Sequence, residues 1–310
     1  MRVFSHDTAT FPLPAGHRFP LPKYRLLRER LIADGAVAPQ DVAFPAPVPW
    51  AALEAVHDPA LLDRIRAGAL TDREARGLGL PWSPQLVERA RRSVAGTIAA
   101  ARQALEHGVA LNLGGGTHHA GHAFARGFCL FNDVAVATAA LRAEGRVGSV
   151  LVVDCDVHQG DGTADILGPD AEAFTLSLHG ARNYPFKRIP SDLDIDLPTR
   201  TGDEAYLAAL DGALDVALAR LPAPDIAFYL AGADPWAGDR LGRLSLTKDG
   251  LAARDARVIG RLRSERVPVC VVLAGGYAPD IADTVDINAA TATVVLRAHS
   301  AAAPASAVVG

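Results

Sequence analysis

The chain has 310 residues, 49% of them apolar and 21% charged, an ordinary make-up for a soluble globular protein. Its formal net charge of −4 provides no basic field of the kind that holds nucleic acid, and no run of about 18 apolar residues is present to span a membrane. The three cysteines, Cys129, Cys155 and Cys270, are far apart and form no CxxC pair, so neither a disulfide framework nor a zinc ribbon is suggested and buried thiols of a reduced, cytoplasmic protein are expected.

The opening segment, MRVFSHDTATFPLPAGH, lacks the apolar stretch of a secretion signal. Lys23 to Ile32 reads as a short amphipathic helix. Prolines break Asp41 to Trp50 (DVAFPAPVPW), because each removes a donor and fixes φ. Helical patterns follow at Pro59–Ala67 and Ser83–His107. The second has Ser83 as N-cap, Pro84 in the first helical position and Gly108 just past its end. From there the chain alternates. Apolar runs at Val109–Leu113, Val150–Val153, Phe174–Leu178, Ile226–Leu230 and Val267–Leu273 are predicted strands. Longer stretches at Phe131–Glu144, Glu204–Leu221 and Lys248–Arg263 are predicted helices. This is the order of an α/β protein with a mostly parallel sheet, whose doubly covered strands read as continuous apolar runs. One domain over residues 1–297 is expected, with 298–310 a disordered tail that ends in AAAPASAVVG.

The chemistry gathers just after four of those strands. Leu113 leads into three glycines and His118-His119. Val153 leads into Asp154-Cys155-Asp156-Val157-His158, Leu230 into Ala231-Gly232-Ala233-Asp234, and Leu273 into Ala274-Gly275-Gly276-Tyr277. Ligands of parallel sheets bind outside the carboxyl ends of the strands, so these four ends are predicted to share one pocket. Residues two apart on extended chain point the same way, which would turn Asp156 and His158 toward one ion and Cys155 away from it. Asp234 would complete a set of two carboxylates and an imidazole, open enough for a catalytic metal and hard enough for Zn²⁺ or Fe²⁺.

Each string alone has a plainer reading. Asp154 and Asp156 also suit strand-end caps or ribose-binding acids, His118-His119 a polar turn, and Gly275-Gly276-Tyr277 a tight turn with a packed tyrosine. His6, His17 and His57 lie in the proline-rich front, away from the strand ends. His107, His122 and His299 read as surface groups. His179 stays open, and Trp236, close to Asp234, is a candidate for the pocket wall.

GGGTHHA (114–120), GFCLFND (127–133), DCDVHQGDG (154–162), SLH (177–179), AGADPWAGDRLGRLSL (231–246) and AGGY (274–277) occur in this order. Together they resemble the histone deacetylase family. GDRLGRLSL, Gln159, LPKYRLLRERL and GLGLPWSP resemble its class IV branch and bacterial relatives. The resemblance covers roughly residues 1–297 and implies the arginase/deacetylase fold, a three-layer α/β/α sandwich. It implies a divalent metal, Zn²⁺ or Fe²⁺, on Asp156, His158 and Asp234, with His118 as general base and His119 as general acid. Asp154 and Asp161 would orient the two histidines, and Tyr277 would polarise the substrate carbonyl. Phe128, with Gly127 and Gly275, would line the acyl-amine site. A structural K⁺ would be held by Asp154, Asp156, His158, Ser177 and Leu178, several of them through backbone carbonyls.

The activity implied is removal of acetyl or other acyl groups from lysine side chains or related amines, acetylated polyamines and other small amides included. Gln159 departs from the commoner second histidine but lies outside the ligand set. No acidic rim residue that grips a peptide backbone is matched, which puts a protein substrate in doubt. An arginase-like two-metal site would need carboxylates where Gly160 and Trp236 stand. A non-catalytic acyl-amine binding protein would lack a catalytic group, and none is missing.

Overall fold

The computed structural model describes residues 1–302. Each apolar run expected as a strand forms one. They are β3 (Val109–Asn112), β4 (Val150–Asp154), β5 (Ala173–Gly180), β7 (Ile226–Leu230) and β8 (Val269–Val272). Two short strands, β1 (Val3–Phe4) and β2 (Val42–Ala43), and an edge strand, β6 (Leu193–Leu197), complete a sheet of eight in the order β2-β1-β3-β8-β7-β4-β5-β6. Every neighbouring pair is parallel. β6 escapes a sequence search for buried strands because its LDIDL alternates acid with apolar and only Leu197 is buried.

The pleat sorts the core into two layers. Val109, Leu111, Leu151, Val153, Tyr229, Val269 and Val271 point to one face. There they meet α1 (Lys23–Ala33), α8 (Asp203–Arg220), α9 (Lys248–Ser264) and α10 (Ile281–Ala302). Ala110, Val150, Val152, Phe228 and Cys270 point to the other. That face is covered by α5 (Pro84–His107) and α6 (Asp133–Ala143), with α2 (Trp50–Glu54), α3 (Pro59–Ala67) and α4 (Asp72–Leu78) outside them. Both faces of the sheet are dry, as a parallel sheet requires.

Local signals set the helix ends. Ser83 Oγ accepts from the Leu86 N–H at 3.1 Å, and Gly108, at φ 85°, ends α5. In α4, Thr71 and Glu74 form a capping box that fixes a helix too short for its periodicity to show. A further short helix, α7 (Asp161–Leu167), lies hidden in the run after His158. α10 continues to Ala302, so the first five residues of the expected tail are helical, and 303–310 lie outside the described residues. No described helix is long and apolar enough to cross a membrane.

The strand order has a functional consequence. β3, β8, β7 and β4 are immediate neighbours at the centre of the sheet, although β4 precedes β7 in the chain. Their four carboxyl ends are those that carry His118-His119, Tyr277, Asp234 and Asp156-His158.

Candidate active site

Asp156 and His158 lie past the end of β4, in a loop. Their shared direction comes from two successive side-chain turns rather than from strand alternation. The Asp156 N–H donates to Asp154 Oδ1 at 3.0 Å, and the His158 N–H donates to Asp156 Oδ1 at 2.9 Å. Each aspartate thus folds the chain over its own carboxylate. The Gly275 N–H donates to Asp156 Oδ2 at 2.7 Å, and the Val157 N–H to Asp234 Oδ1 at 3.0 Å, which ties the β4, β7 and β8 loops together.

The result is a buried cluster of Asp156, His158 and Asp234 whose ligating atoms lie within 4.8 Å of one another. Its chemistry fits a divalent cation. Asp234 Oδ2 is buried and makes no hydrogen bond, although it lies 3.4 Å from His158 Nδ1. Burial, reinforced by the Asp156 charge, pushes the Asp234 carboxyl up to about 6. Burial opposes charge on His158 as well, yet the two carboxylates outweigh it and raise that ring to about 10. A buried carboxylate oxygen without a hydrogen-bond partner, beside a second carboxylate and an imidazole, is a donor set that a cation would satisfy. The cradle also has no room for a side chain at residue 275, where a Cβ would stand 1.8 Å from Asp234 Oδ2.

The tandem histidines are fixed from behind. Asp133, first in α6, accepts from the Gly116 N–H at 3.1 Å, the Thr117 N–H at 2.7 Å and the Thr117 hydroxyl at 2.6 Å, so it wraps the triple-glycine loop. His118 Nδ1 then meets Asp154 at 2.6 Å, and His119 Nδ1 meets Asp161 at 2.5 Å. Both rings line the cavity, 4.1 Å apart between centroids. Their electrostatics differ. Burial disfavours charge on both. For His118 the carboxylates of Asp154 and Asp156 prevail and raise it to about 9. For His119 burial is joined by repulsion from His118 and His158, and its pKa falls well below the usual imidazole range.

Tyr277 lies across the cavity. Its N–H donates to Asp239 at 2.6 Å, and its hydroxyl has no hydrogen-bond partner among the described residues. Burial, with Asp234 and Asp156 nearby, raises the phenol well above its usual value and keeps its proton in place. Phe128 stacks 5.9 Å from Tyr277. It holds an unusual φ of 66° after Gly127 at φ 57°, where a Cβ would stand 2.5 Å from the His119 ring. Glycine at 127 is therefore required both by conformation and by the close approach of the histidine. Asp154 and Ser177 are register partners on β4 and β5, with Leu178 next along β5.

These groups open into one cavity of about 840 Å³. Several of its residues were not anticipated. Tyr184 packs edge-on against His119 at 4.9 Å, and behind the wall Arg126 pairs with Asp161. Lys23 is buried and donates from Nζ to the Ala274 carbonyl at 3.2 Å. His6 also lines the cavity, so its placement away from the strand ends is corrected. It follows β1 and packs against Gly114, because the β1 end adjoins that of β3. Trp236 is corrected in the opposite sense. It is absent from the cavity wall, and its ring lies 5.6 Å from Lys248 Nζ at the start of α9. His57 keeps its plain structural role, accepting from the Asn132 N–H at 3.0 Å beside the Gly121 carbonyl. All three cysteines are buried and free.

Residues 17–293 match the model of the histone deacetylase domain. The chain belongs to the histone deacetylase family. It is 44% identical to an uncharacterized protein of Picosynechococcus sp. over 91% of this chain and 94% of that one. It is 31% identical to histone deacetylase 2 of Arabidopsis thaliana, over 91% of this chain and 76% of that protein. Among solved structures, an acetylpolyamine aminohydrolase from Burkholderia pseudomallei superposes with a TM-score of 0.74 at 24% identity, covering 94% of this chain and 97% of that one. The all-parallel eight-stranded sheet is therefore the arginase/deacetylase fold. This histone deacetylase family member has the fold and the composite cavity of a deacetylase-type amidohydrolase.

Proposed function

We propose that the chain is a divalent-metal-dependent amidohydrolase that removes acetyl or longer acyl groups from lysine side chains or related amines. The observation that carries this reading is that the cluster of Asp156, His158 and Asp234 adjoins two carboxylate-backed histidines and one free phenol at the floor of a single cavity, lined by Asp156, His158, His118, His119 and Tyr277. Asp156, His158 and Asp234 would hold zinc or ferrous iron. When bound, such an ion supplies Lewis acidity for the amide carbonyl and makes water a nucleophile near neutral pH.

The chain's own groups then divide the work. Asp154 and Asp161 fix the two imidazoles through Nδ1, leaving each Nε2 to face the substrate. The neutral character of His119 suits it to take a proton from the attacking water, and the cationic character of His118 suits it to stabilise negative charge. On this reading His119, rather than His118, is the proton acceptor. Once protonated, His119 would return that proton to the leaving amine. The Tyr277 hydroxyl would donate to the developing oxyanion. Phe128 and Tyr184 would flank the substrate chain, and Gly127 and Gly275 would allow its close approach. The register of Asp154 with Ser177, followed by Leu178, supports a K⁺ site that also uses Asp156 and His158. The free buried thiols support a cytoplasmic setting.

The test is hydrolysis of matched acetyl-lysine and long-chain acyl-lysine peptides by the zinc-loaded protein. Release of carboxylate from either one is expected, and the preferred chain defines the acyl class. Binding of metal and peptide with no release from any member would instead favour the non-catalytic reading.

A further inference from the structure

The cavity has an outer rim of one sign. Arg18, Arg76, Arg182, Arg240 and Arg243 all line it, and all five are exposed. Asp156, at the metal cluster, is the one acidic residue lining the cavity among the described residues. Elsewhere on the surface, arginines such as Arg25, Arg64 and Arg142 are paired with carboxylates. Asp239, next to Arg240 in the chain, is committed to the N–H groups of Tyr277, Leu241 and Gly242. This positive ring occurs on a chain whose formal net charge is −4, so it does not follow from bulk composition.

Two of the five have a more specific setting. Arg18 and Arg240 wall a second hollow of about 300 Å³ together with Leu241 and Tyr277. Arg240 is steadied there by donating from Nη2 to the Pro279 carbonyl at 3.3 Å. A guanidinium pair beside the phenol that faces the reacting carbonyl suits a planar or tetrahedral oxyanion.

We propose that Arg18 and Arg240 form an anion subsite and that the substrate is an acylated amine carrying a carboxylate or phosphate on its amine side. The proposal rests on the amidohydrolase reading for the reaction, but the charge preference is measurable without it. An acetylated polyamine, cationic along its length, meets repulsion at this rim.

The test uses acetyl-lysine peptides that differ only in the residues flanking the acetyl-lysine: aspartate, phosphoserine, alanine or lysine. Binding to the zinc-loaded protein is measured by calorimetry and hydrolysis is followed in parallel. The anionic peptides are expected to bind and react about tenfold better than the lysine-flanked one at low salt, with the gap closing as salt rises. The aspartate and phosphoserine arms separate a carboxylate site from a phosphate site. R18A/R240A is expected to remove the preference and R18E/R240E to invert it, each scored against the alanine-flanked peptide. Equal or better binding of the lysine-flanked peptide to the wild type, or an unaltered order in R18E/R240E, overturns the proposal. Anionic preference in binding without hydrolysis of any peptide upholds the subsite and overturns the amidohydrolase reading.

Discussion

His119 Nδ1 meets Asp161 at 2.5 Å, while the second oxygen of the same carboxylate is paired with the Arg126 guanidinium. Asp154, the carboxylate behind His118, has no arginine partner and supports the neighbouring ring alone with Oδ2. The two tandem rings also shift in opposite directions: burial, His118 and His158 lower His119, whereas for His118 the carboxylates of Asp154 and Asp156 outweigh burial and raise it.

Arg126 adds positive charge close to His119 and lowers its pKa, after the larger effects of burial, His118 and His158. Removing that charge raises the pKa of His119. If neutral His119 accepts the proton, the acidic limb of kcat/KM in Arg126→Leu moves to higher pH. A pH–rate profile of the two proteins checks this, and an unshifted limb would remove His119 from that role.

Tyr277→Phe deletes one hydroxyl and leaves the Tyr277 N–H bond to Asp239 in place. A drop of about 10²–10³ in kcat is expected with little change in KM, because the lost donor acts on the transition state. His119→Ala is expected to lose at least as much. Metal content and the unfolding midpoint serve as controls in both. Rates like those of the wild type would exclude these groups from the reaction.

Beneath the site, Arg254 is wholly buried and donates to the Cys155 carbonyl at 3.2 Å and the Gly232 carbonyl at 2.7 Å. These carbonyls belong to the loops that carry Asp156 and Asp234. Its charge is balanced by Asp255, which also accepts from Tyr229 and Thr291. Arg254→Met leaves Asp255 buried without its cation and is expected to cost about 3–5 kcal/mol of stability. Denaturant titration reads this directly, and a loss under about 1 kcal/mol would show that the pair does not brace the loops.

Much of this was legible in the sequence because parallel strands are dry on both faces. Val150–Val153 and Ile226–Leu230 stand out as apolar runs, and the polar residues directly after them mark the sheet end where ligands bind. Spacing also brought Asp156 and His158 together, but for an incomplete reason. The side chains converge through turns closed by Asp154 and Asp156, a feature of side-chain hydrogen bonding that a period of two does not contain. Arg126, Tyr184 and Lys23 were not legible because none directly follows a predicted strand, and only folding brings Tyr184 and Lys23 to the cavity and Arg126 to Asp161. The edge strand Leu193–Leu197 and the short helix Asp161–Leu167 were missed for related reasons: one is half-exposed, the other too brief for a period to register. Arg254 lies within a helix rich in arginine, and nothing in its local pattern separates the buried member from the exposed ones.

Asp156, His158 and Asp234 are proposed to hold the metal that the reaction needs. The most direct measurement is zinc content by mass spectrometry of wild type and Asp156→Ala, each stripped with chelator and reloaded, with acyl-lysine hydrolysis recorded on the same samples. One equivalent of zinc at this site and hydrolysis that returns on reloading are predicted for the wild type, with both absent in the variant. Undiminished zinc in Asp156→Ala would place the metal elsewhere, and full hydrolysis by the stripped wild type would show that the reaction does not need it.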